Sequence, residues 1–288
     1  VGSEMCIRDR HVLPHFTKDT TDRNRTSPFA FTGNKFEFRM LGSAASVANP
    51  NMVLNTAVAE ALSQFYNELK DTAPEEMEHA VHELIKRAVK KHKKVIFNGN
   101  GYTEDWVKEA ESRGLYNLVS TPEALPRFIA DKNLDLFIKH GVFTREEIFS
   151  RYEILLETYS KTVAIESKTM QEMLIKDFLP AVNRYAAAAA KQVSDKKALL
   201  AELSTTSEEA LVSNLTEISN RIAAGVTTLK EATAKAESTV DMQKQADLFL
   251  TEVLPVMEEL KNAANEAEIK IPDEILPYPT YDHLLFYV

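Results

Sequence analysis

Apolar residues recur at helical spacing over long stretches of the second half of the chain. From Thr144 to about Lys197 they return every three or four residues, and Pro180 interrupts the run. The residues of this stripe are Ile148, Tyr152, Leu155, Tyr159, Val163, Met170, Met173, Leu174 and Phe178. A second run begins near Thr206 and continues to Leu260, and it is expected to be broken or kinked near Pro255. Because a 3.6-residue period covers one side of a helix, the pattern predicts long antiparallel helices in a bundle.

Helix start signals support this division. Thr144 with Glu147, and Thr206 with Glu209, have the spacing of a capping box. Further helices are predicted to begin at Asn49-Pro50, with Asn49 as the cap, at Pro74, near Thr103, and at Thr121-Pro122, with Thr121 as the cap. A short strand is predicted over residues 94–97.

The pattern changes to a period of two near the start of the chain. From Lys35 to Met40 charged and apolar residues alternate strictly, which predicts a β-strand. Thr32-Gly33-Asn34 is a turn signal, and Phe29 to Phe31 precede it, so the segment predicts a β-hairpin. The expected fold class is therefore α+β and predominantly α, with a short antiparallel hairpin followed by a long-helix bundle.

The charged face of this strand is the candidate for chemistry. Lys35, Glu37 and Arg39 share one side of it, and Arg23 and Arg25 lie upstream. If that side faces inward, the carboxylate can hold a divalent cation and the guanidinium groups can clamp phosphate or carboxylate oxygens. The alternative is an amphipathic strand with a solvated, salt-bridged face. The residues alone leave both interpretations open.

Three elements in this region resemble the glutamine synthetases, and specifically their large type III class. They are Asn24-Arg25-Thr26, the strand from Lys35 to Arg39, and Ala48-Asn49-Pro50, in that order. The resemblance implies that the hairpin is the end of the family's catalytic barrel. It departs from the commoner classes at Ala30, where those proteins place another arginine.

The resemblance also implies an activity and roles for individual residues. Glu37 matches the glutamate that binds an active-site Mg²⁺ or Mn²⁺ ion. Arg39 matches the catalytic arginine that contacts the glutamate substrate and the transferred phosphoryl group, and Arg25 matches a catalytic arginine near the nucleotide phosphates. Lys35 holds a basic position on the substrate side. The implied reaction makes glutamine from glutamate, ammonia and ATP through γ-glutamyl phosphate, in a homo-oligomer.

Composition limits the classes of binding partner and the cellular compartment. The 288 residues carry a formal net charge of −9, which argues against nucleic acid or an anionic membrane surface as a partner. No apolar run approaches the roughly 20 residues that span a bilayer. Cys6 is the only cysteine, which excludes a disulfide framework and suits the reducing cytoplasm.

The sequence suggests five regions. Residues 1–10 resemble translated adapter sequence and are interpreted as an artefact. The expected regions after them are 11–70, the end of a catalytic domain; 71–142, a helical connection; 143–271, the long-helix bundle; and 272–288, a docked tail rich in proline and aromatic residues. The chain is therefore expected to be the C-terminal portion of the enzyme and inactive alone. The alternative is a non-catalytic helical module for oligomerisation or interaction.

Two other motifs suggest chemistry less specifically. His79 and His82, with Glu83 beside them, have a spacing found in zinc sites, but a solvated helix face is the favoured interpretation. Asn98 to Gly101 precede a helix and resemble a phosphate loop, but they lack its lysine, so a plain turn is favoured.

Overall fold

A computed structural model describes residues 29–31, 36–38, 45–97, 100–101 and 103–286 of the chain. Contacts within the chain divide it into two units, the first ending at Asn117 and the second beginning at Leu118. This boundary falls inside the region 71–142 that the sequence suggested as one connection. Among the described residues, no helix is both long and apolar enough to cross a membrane.

Helices dominate the described residues, and this corrects the expected fold class. Strand β1 (Phe29–Phe31) pairs antiparallel with β2 (Phe36–Phe38), and Ala30 lies opposite Glu37. The described residues contain no other strand and no edge of a barrel. The α+β class is therefore wrong, and the fold of the described residues is helical. Two strands of three residues present too little surface to form a layer of their own, so the helices supply the core.

Among its described residues the first unit has three helices, joined in part by a short 3₁₀ turn. They are α1 (Ala48–Leu69), α2 (Met77–His92) and α3 (Glu104–Ser112), with the 3₁₀ turn at Lys93–Val95. The predicted cap at Asn49 is wrong, because α1 begins at Ala48 and Val47 is in the cap position, two residues earlier. The strand predicted over residues 94–97 is also wrong, since the chain continues from α2 directly into the 3₁₀ turn.

Contacts between side chains hold the helices of this unit. Leu84 on α2 is buried, and Arg87 on the same helix pairs with Glu68 on α1. Phe97 stacks on Trp106 of α3 with ring centroids 3.7 Å apart. The guanidinium of Arg113 lies 5.3 Å from the centre of the Trp106 ring and donates to the Ile96 carbonyl at 2.9 Å. These contacts hold residues 96–97, which follow the 3₁₀ turn, against α3 and the residue after it.

The second unit is a bundle built mainly from long helices. Its helices are α4 (Thr121–Phe128), α5 (Asp131–Lys139), α6 (Arg145–Met173), α7 (Leu179–Leu199), α8 (Thr206–Glu237), α9 (Met242–Leu248), α10 (Leu254–Glu268) and α11 (Tyr281–Phe286). The capping box of Thr144 with Glu147 at the start of α6 is confirmed. Helix α4 is capped by Ser120 with Glu123, so the predicted cap at Thr121 was one residue late. At α8 the cap position belongs to Thr205.

Each of the two predicted interruptions is a local widening of a continuous helix. Leu174–Phe178 is a π-helical segment directly before Leu179 and Pro180, and Phe249–Val253 is another directly before Leu254 and Pro255. A proline lacks the N–H that an α-helix needs, and its ring collides with the carbonyl one turn earlier. The wider turn accommodates the proline, so α6 leads into α7 and α9 leads into α10 without a loop.

The main core lies where these helices face one another. Its members include Phe178, Val182, Leu215, Ile218, Ile222, Leu229, Phe249, Val253 and Leu260. Two residues of the predicted apolar stripe on α6, Ile148 and Val163, are buried as expected. Leu155 of the same stripe is exposed, and its neighbour Leu156 is fully buried instead. The core also contains hydroxyl contacts, since Ser167 and Thr233 meet at 2.7 Å and Ser219 donates to Asn183 at 2.8 Å.

Candidate functional site

The predicted catalytic residues lie in the least described part of the chain. Glu37 is on β2 and is half-buried. Arg25, Lys35 and Arg39 lie outside the described residues. The expected shared face of Glu37 and Arg39 therefore stays a prediction. The motif Ala48-Asn49-Pro50 forms the first turn of α1, so it leads into a helix as the resemblance implied.

A metal site needs several ligands at one place, and the described residues do not supply them. They contain no group of three or more histidine, cysteine, aspartate or glutamate side chains placed to hold an ion. Glu37 is the one predicted ligand among them. The described residues thus do not fit a complete Mg²⁺ or Mn²⁺ site, and any metal at Glu37 requires ligands from elsewhere.

The two histidines that suggested zinc lie on a solvated helix face. His79, His82 and Glu83 are exposed on α2. Lys86 donates a hydrogen bond to Glu83 at 3.0 Å, and this bond, with the lysine charge, lowers the pKa of the Glu83 carboxyl. The favoured interpretation of this motif is consistent with that exposure.

The first turn of α3 carries negative charges that do not suit a phosphate site. Asn98 and Gly99 lie outside the described residues, so the loop itself is not compared with a phosphate loop. Thr103 is in the cap position of α3, and Glu104 and Asp105 occupy the first turn. Carboxylates there suit the positive end of the helix dipole, and they repel an anion that would use the same end.

The bundle has a groove that the sequence did not predict. It has a volume of about 470 Å³ and lies between α6 with the π segment after it, α10, and the chain beyond α10. Its walls are mainly apolar: Ile165, Met170, Met173, Leu174, Phe178, Met257, Leu260 and Ala264. Its polar lining consists of Glu166, Thr169, Lys261, Asn265, Glu268 and Tyr278. A volume in this range, with apolar walls and a few polar groups, is typical of binding sites.

Sequence reasoning missed this groove because it assigned the methionine and aromatic stripe of α6 to the core. Leu174 and Phe178 are buried as expected, but Met170 is half-buried and Met173 is exposed. The available signal was composition, since three of the groove's apolar residues are methionines. Methionine is flexible and polarisable, and it is common at surfaces that adapt to a partner.

The segment after α10 closes one side of the groove. Ile275 and Leu276 pack against the core, and the Tyr278 hydroxyl donates to the Asp177 carboxylate at 2.7 Å. Partial burial, with this hydrogen bond and the aspartate charge, raises the pKa of Tyr278 to about 12. The tyrosine therefore stays protonated at neutral pH and fastens the tail to the π segment before Pro180.

Comparisons with known proteins point to one family. Residues 80–197 match the glutamine synthetase C-terminal domain. The chain is 45% identical over 276 residues to a glutamine synthetase from Butyrivibrio fibrisolvens, covering 94% of this chain and 39% of that protein. It is 37% identical over 279 residues to a type-3 glutamine synthetase from Dictyostelium discoideum, covering 95% and 38%. A glutamine synthetase from Bacteroides fragilis is 31% identical over 280 residues, with 95% and 38% covered.

These findings confirm the resemblance that the motifs suggested. The similarity extends over nearly the whole chain, well beyond the short motifs that indicated it. The chain spans about two fifths of the length of these curated relatives, 38% or 39% of each.

Proposed function

We propose that the chain is the C-terminal portion of a glutamate–ammonia ligase, because residues 80–197 match the glutamine synthetase C-terminal domain. The proposed reaction joins ammonia to glutamate with ATP as co-substrate, through γ-glutamyl phosphate. The observation that carries the proposal is the similarity over 94% of the chain to a protein named glutamine synthetase. The cytoplasm is the proposed location, in keeping with a sequence that has one cysteine.

In this proposal the segment around β2 contributes charged groups to the active site. Glu37 acts as a ligand of the divalent cation, Mg²⁺ or Mn²⁺, which would neutralise charge on the phosphate oxygens when bound. Arg25 holds the nucleotide phosphates. Arg39 contacts the glutamate substrate and stabilises the charge that develops during transfer, and Lys35 binds substrate beside it. The support for these roles is the match of Glu37, Arg39 and Arg25 to the family's motifs.

We further propose that the chain is inactive by itself. Its described residues contain Glu37, the one predicted metal ligand, and no complete metal site. The relatives are more than twice as long as the matched region, so the remaining groups are expected in the additional length of the whole enzyme. The measurement is glutamine formation by residues 11–288, and turnover above a no-enzyme control would contradict the proposal.

A second function is supported by the extent of the helical bundle. We propose that the bundle is also a module for self-association of a homo-oligomer. The described helices of the second unit run from Thr121 to Phe286, and the groove on them presents an apolar surface. Exposed apolar surface of this kind is typical of interaction sites. The chain can serve both functions, because the two use different parts of the molecule.

The test that separates the two functions uses the longer enzyme. Glu37→Gln and Arg39→Ala are compared with Glu75→Gln, an exposed glutamate in the turn before α2. Loss of a charged group that acts in the transition state is expected to lower kcat about 10²- to 10³-fold. Assembly, measured by sedimentation, should stay unchanged. Full activity in both variants would overturn the catalytic roles, whereas lost assembly with retained activity would assign the segment a structural role.

A further inference from the structure

The lining of the groove in the bundle includes unpaired carboxylates. Glu166 on α6 and Glu268 at the end of α10 both line it. Neither forms an ion pair among the contacts of the described residues. The one lysine of the lining, Lys261, is held by Glu258 at 2.8 Å on its own helix. The groove therefore combines apolar, methionine-rich walls with a negative edge, which favours an occupant that is apolar and cationic.

Helix α2 has a surface with these properties. Ile85 and Val89 lie one turn apart and are 54% and 53% exposed, whereas Leu84 on the same helix is buried. Lys86 and Lys90 on α2, and Lys93 at the start of the 3₁₀ turn directly after it, flank them, because residues three and four apart are neighbours on a helix. We call these five residues the basic face of α2. Lys86 is paired with Glu83, whereas Lys90 and Lys93 have no ion pair among the described residues.

Another exposed apolar segment fits the groove less well. Leu199 and Leu200, at the end of α7, are 78% and 58% exposed. The adjacent lysines, Lys196 and Lys197, are already paired with Glu208 and Glu209 on α8. This segment thus offers no free cation to the carboxylates of the groove.

We propose that the groove of one copy binds the basic face of α2 from a second copy of this chain. Ile85 and Val89 enter between the methionines, and Lys90 and Lys93 reach Glu166 and Glu268 of the lining. An amphipathic helix in an apolar groove is a recurring mode of recognition, and methionine walls adapt to branched side chains. This inference rests on the self-association proposed above, for which it names both surfaces. It does not depend on the ligase activity.

Charge reversal tests the proposal in the full chain. Glu166→Lys with Glu268→Lys reverses the groove, and Lys90→Glu with Lys93→Glu reverses the helix. Each double variant should weaken self-association at least tenfold in sedimentation experiments at low salt, and an equimolar mixture of the two should restore it. The matched control is Glu217→Lys with Glu231→Lys, two exposed carboxylates on α8, which should change nothing.

The uncharged part of the contact is tested by Ile85→Gln with Val89→Gln. Glutamine is a strong helix former, so these substitutions remove the apolar pair without weakening α2. They should also weaken association at least tenfold, with an unchanged circular dichroism spectrum. Unchanged association in this variant or in the charge-reversed ones overturns the proposal, and so does a mixture that fails to restore it. Association that is lost equally in the α8 control overturns it as well, because the effect would then be non-specific.

Cross-linking identifies the occupant directly. In a Cys6→Ser background, Val89→Cys is made in one preparation and Ile165→Cys in another, and the two are mixed with a short thiol cross-linker. A covalent dimer that requires both variants supports the proposal. Absence of that dimer overturns it. A cross-link within single chains carrying both substitutions, with none between chains, shows that the occupant is not a second copy. Glutamine formation by the longer enzyme is read separately, so failure of either proposal is distinguishable.

Discussion

The buried hydroxyl pair between α6 and α8 gives the sharpest stability prediction. Thr233 donates its one hydroxyl proton to the Leu229 carbonyl at 2.7 Å. The Ser167 hydroxyl, 2.7 Å from the Thr233 oxygen, must therefore be the donor between the two. Gln171 donates in turn to Ser167 at 3.2 Å. Ser167 and Thr233 are 0% and 2% exposed, so water does not replace either contact.

Thr233→Val keeps the shape of the side chain and removes the acceptor. The Ser167 hydroxyl is left buried without its partner, and an unsatisfied buried donor costs about 1–3 kcal/mol. Ser167→Ala is expected to cost less, about 0.5–1.5 kcal/mol, because Thr233 keeps its bond to the Leu229 carbonyl. The double variant should be more stable than Thr233→Val alone, because the fully buried Ser167 hydroxyl that lost its acceptor is then gone.

The assay is urea unfolding followed by far-ultraviolet circular dichroism, with the free energy of unfolding extrapolated to water. The matched control is Thr228→Val on the same helix, where an exposed threonine donates to its own helix at 3.3 Å. That change should stay within about 0.5 kcal/mol. The reasoning is refuted if Thr233→Val costs no more than Thr228→Val, or if the costs of Ser167→Ala and Thr233→Val simply add.

Two further predictions concern packing and pH. Gly225→Ala should lower the melting temperature, because a Cβ there lies 2.7 Å from a methyl carbon of Leu260, a side chain that is 2% exposed. The cost of overpacking, about 1–3 kcal/mol, is expected to exceed the gain of about 1 kcal/mol from the higher helix propensity of alanine. A variant more stable than the parent would contradict this expectation. A hydrogen bond from Lys196 lowers the pKa of Glu208 from 4.5 to about 2, so its contribution to stability is present above pH 4.5 and is lost as the pH falls toward 2. Lys196→Met should reduce the loss of stability over that interval in an acid titration, and an unchanged titration would contradict the assignment.

The candidate site shows where residue patterns are informative and where they are not. The motif around Glu37 indicated a family, and similarity over nearly the whole chain confirms that resemblance. The groove on the bundle had no comparable signal. Met170 and Leu174 both line the groove and lie one helical turn apart in the same apolar stripe, yet Met170 is half-buried and Leu174 is buried. Periodicity reports which side of a helix is apolar, but not whether a neighbouring helix covers all of that side.

The sequence by itself determined the helical organisation of the second half and the capping box at Thr144, because helix periodicity and caps depend on residues a few positions apart. It did not determine the fold class, since the strand pattern near Glu37 produced only two three-residue strands in the described part of the chain. Tertiary structure decided that Leu156 is buried instead of Leu155 and that Pro180 follows a π segment without a break. It also placed Tyr278 on Asp177, 101 residues away. These outcomes depend on contacts between residues distant in the chain, and local patterns carry no information about such contacts.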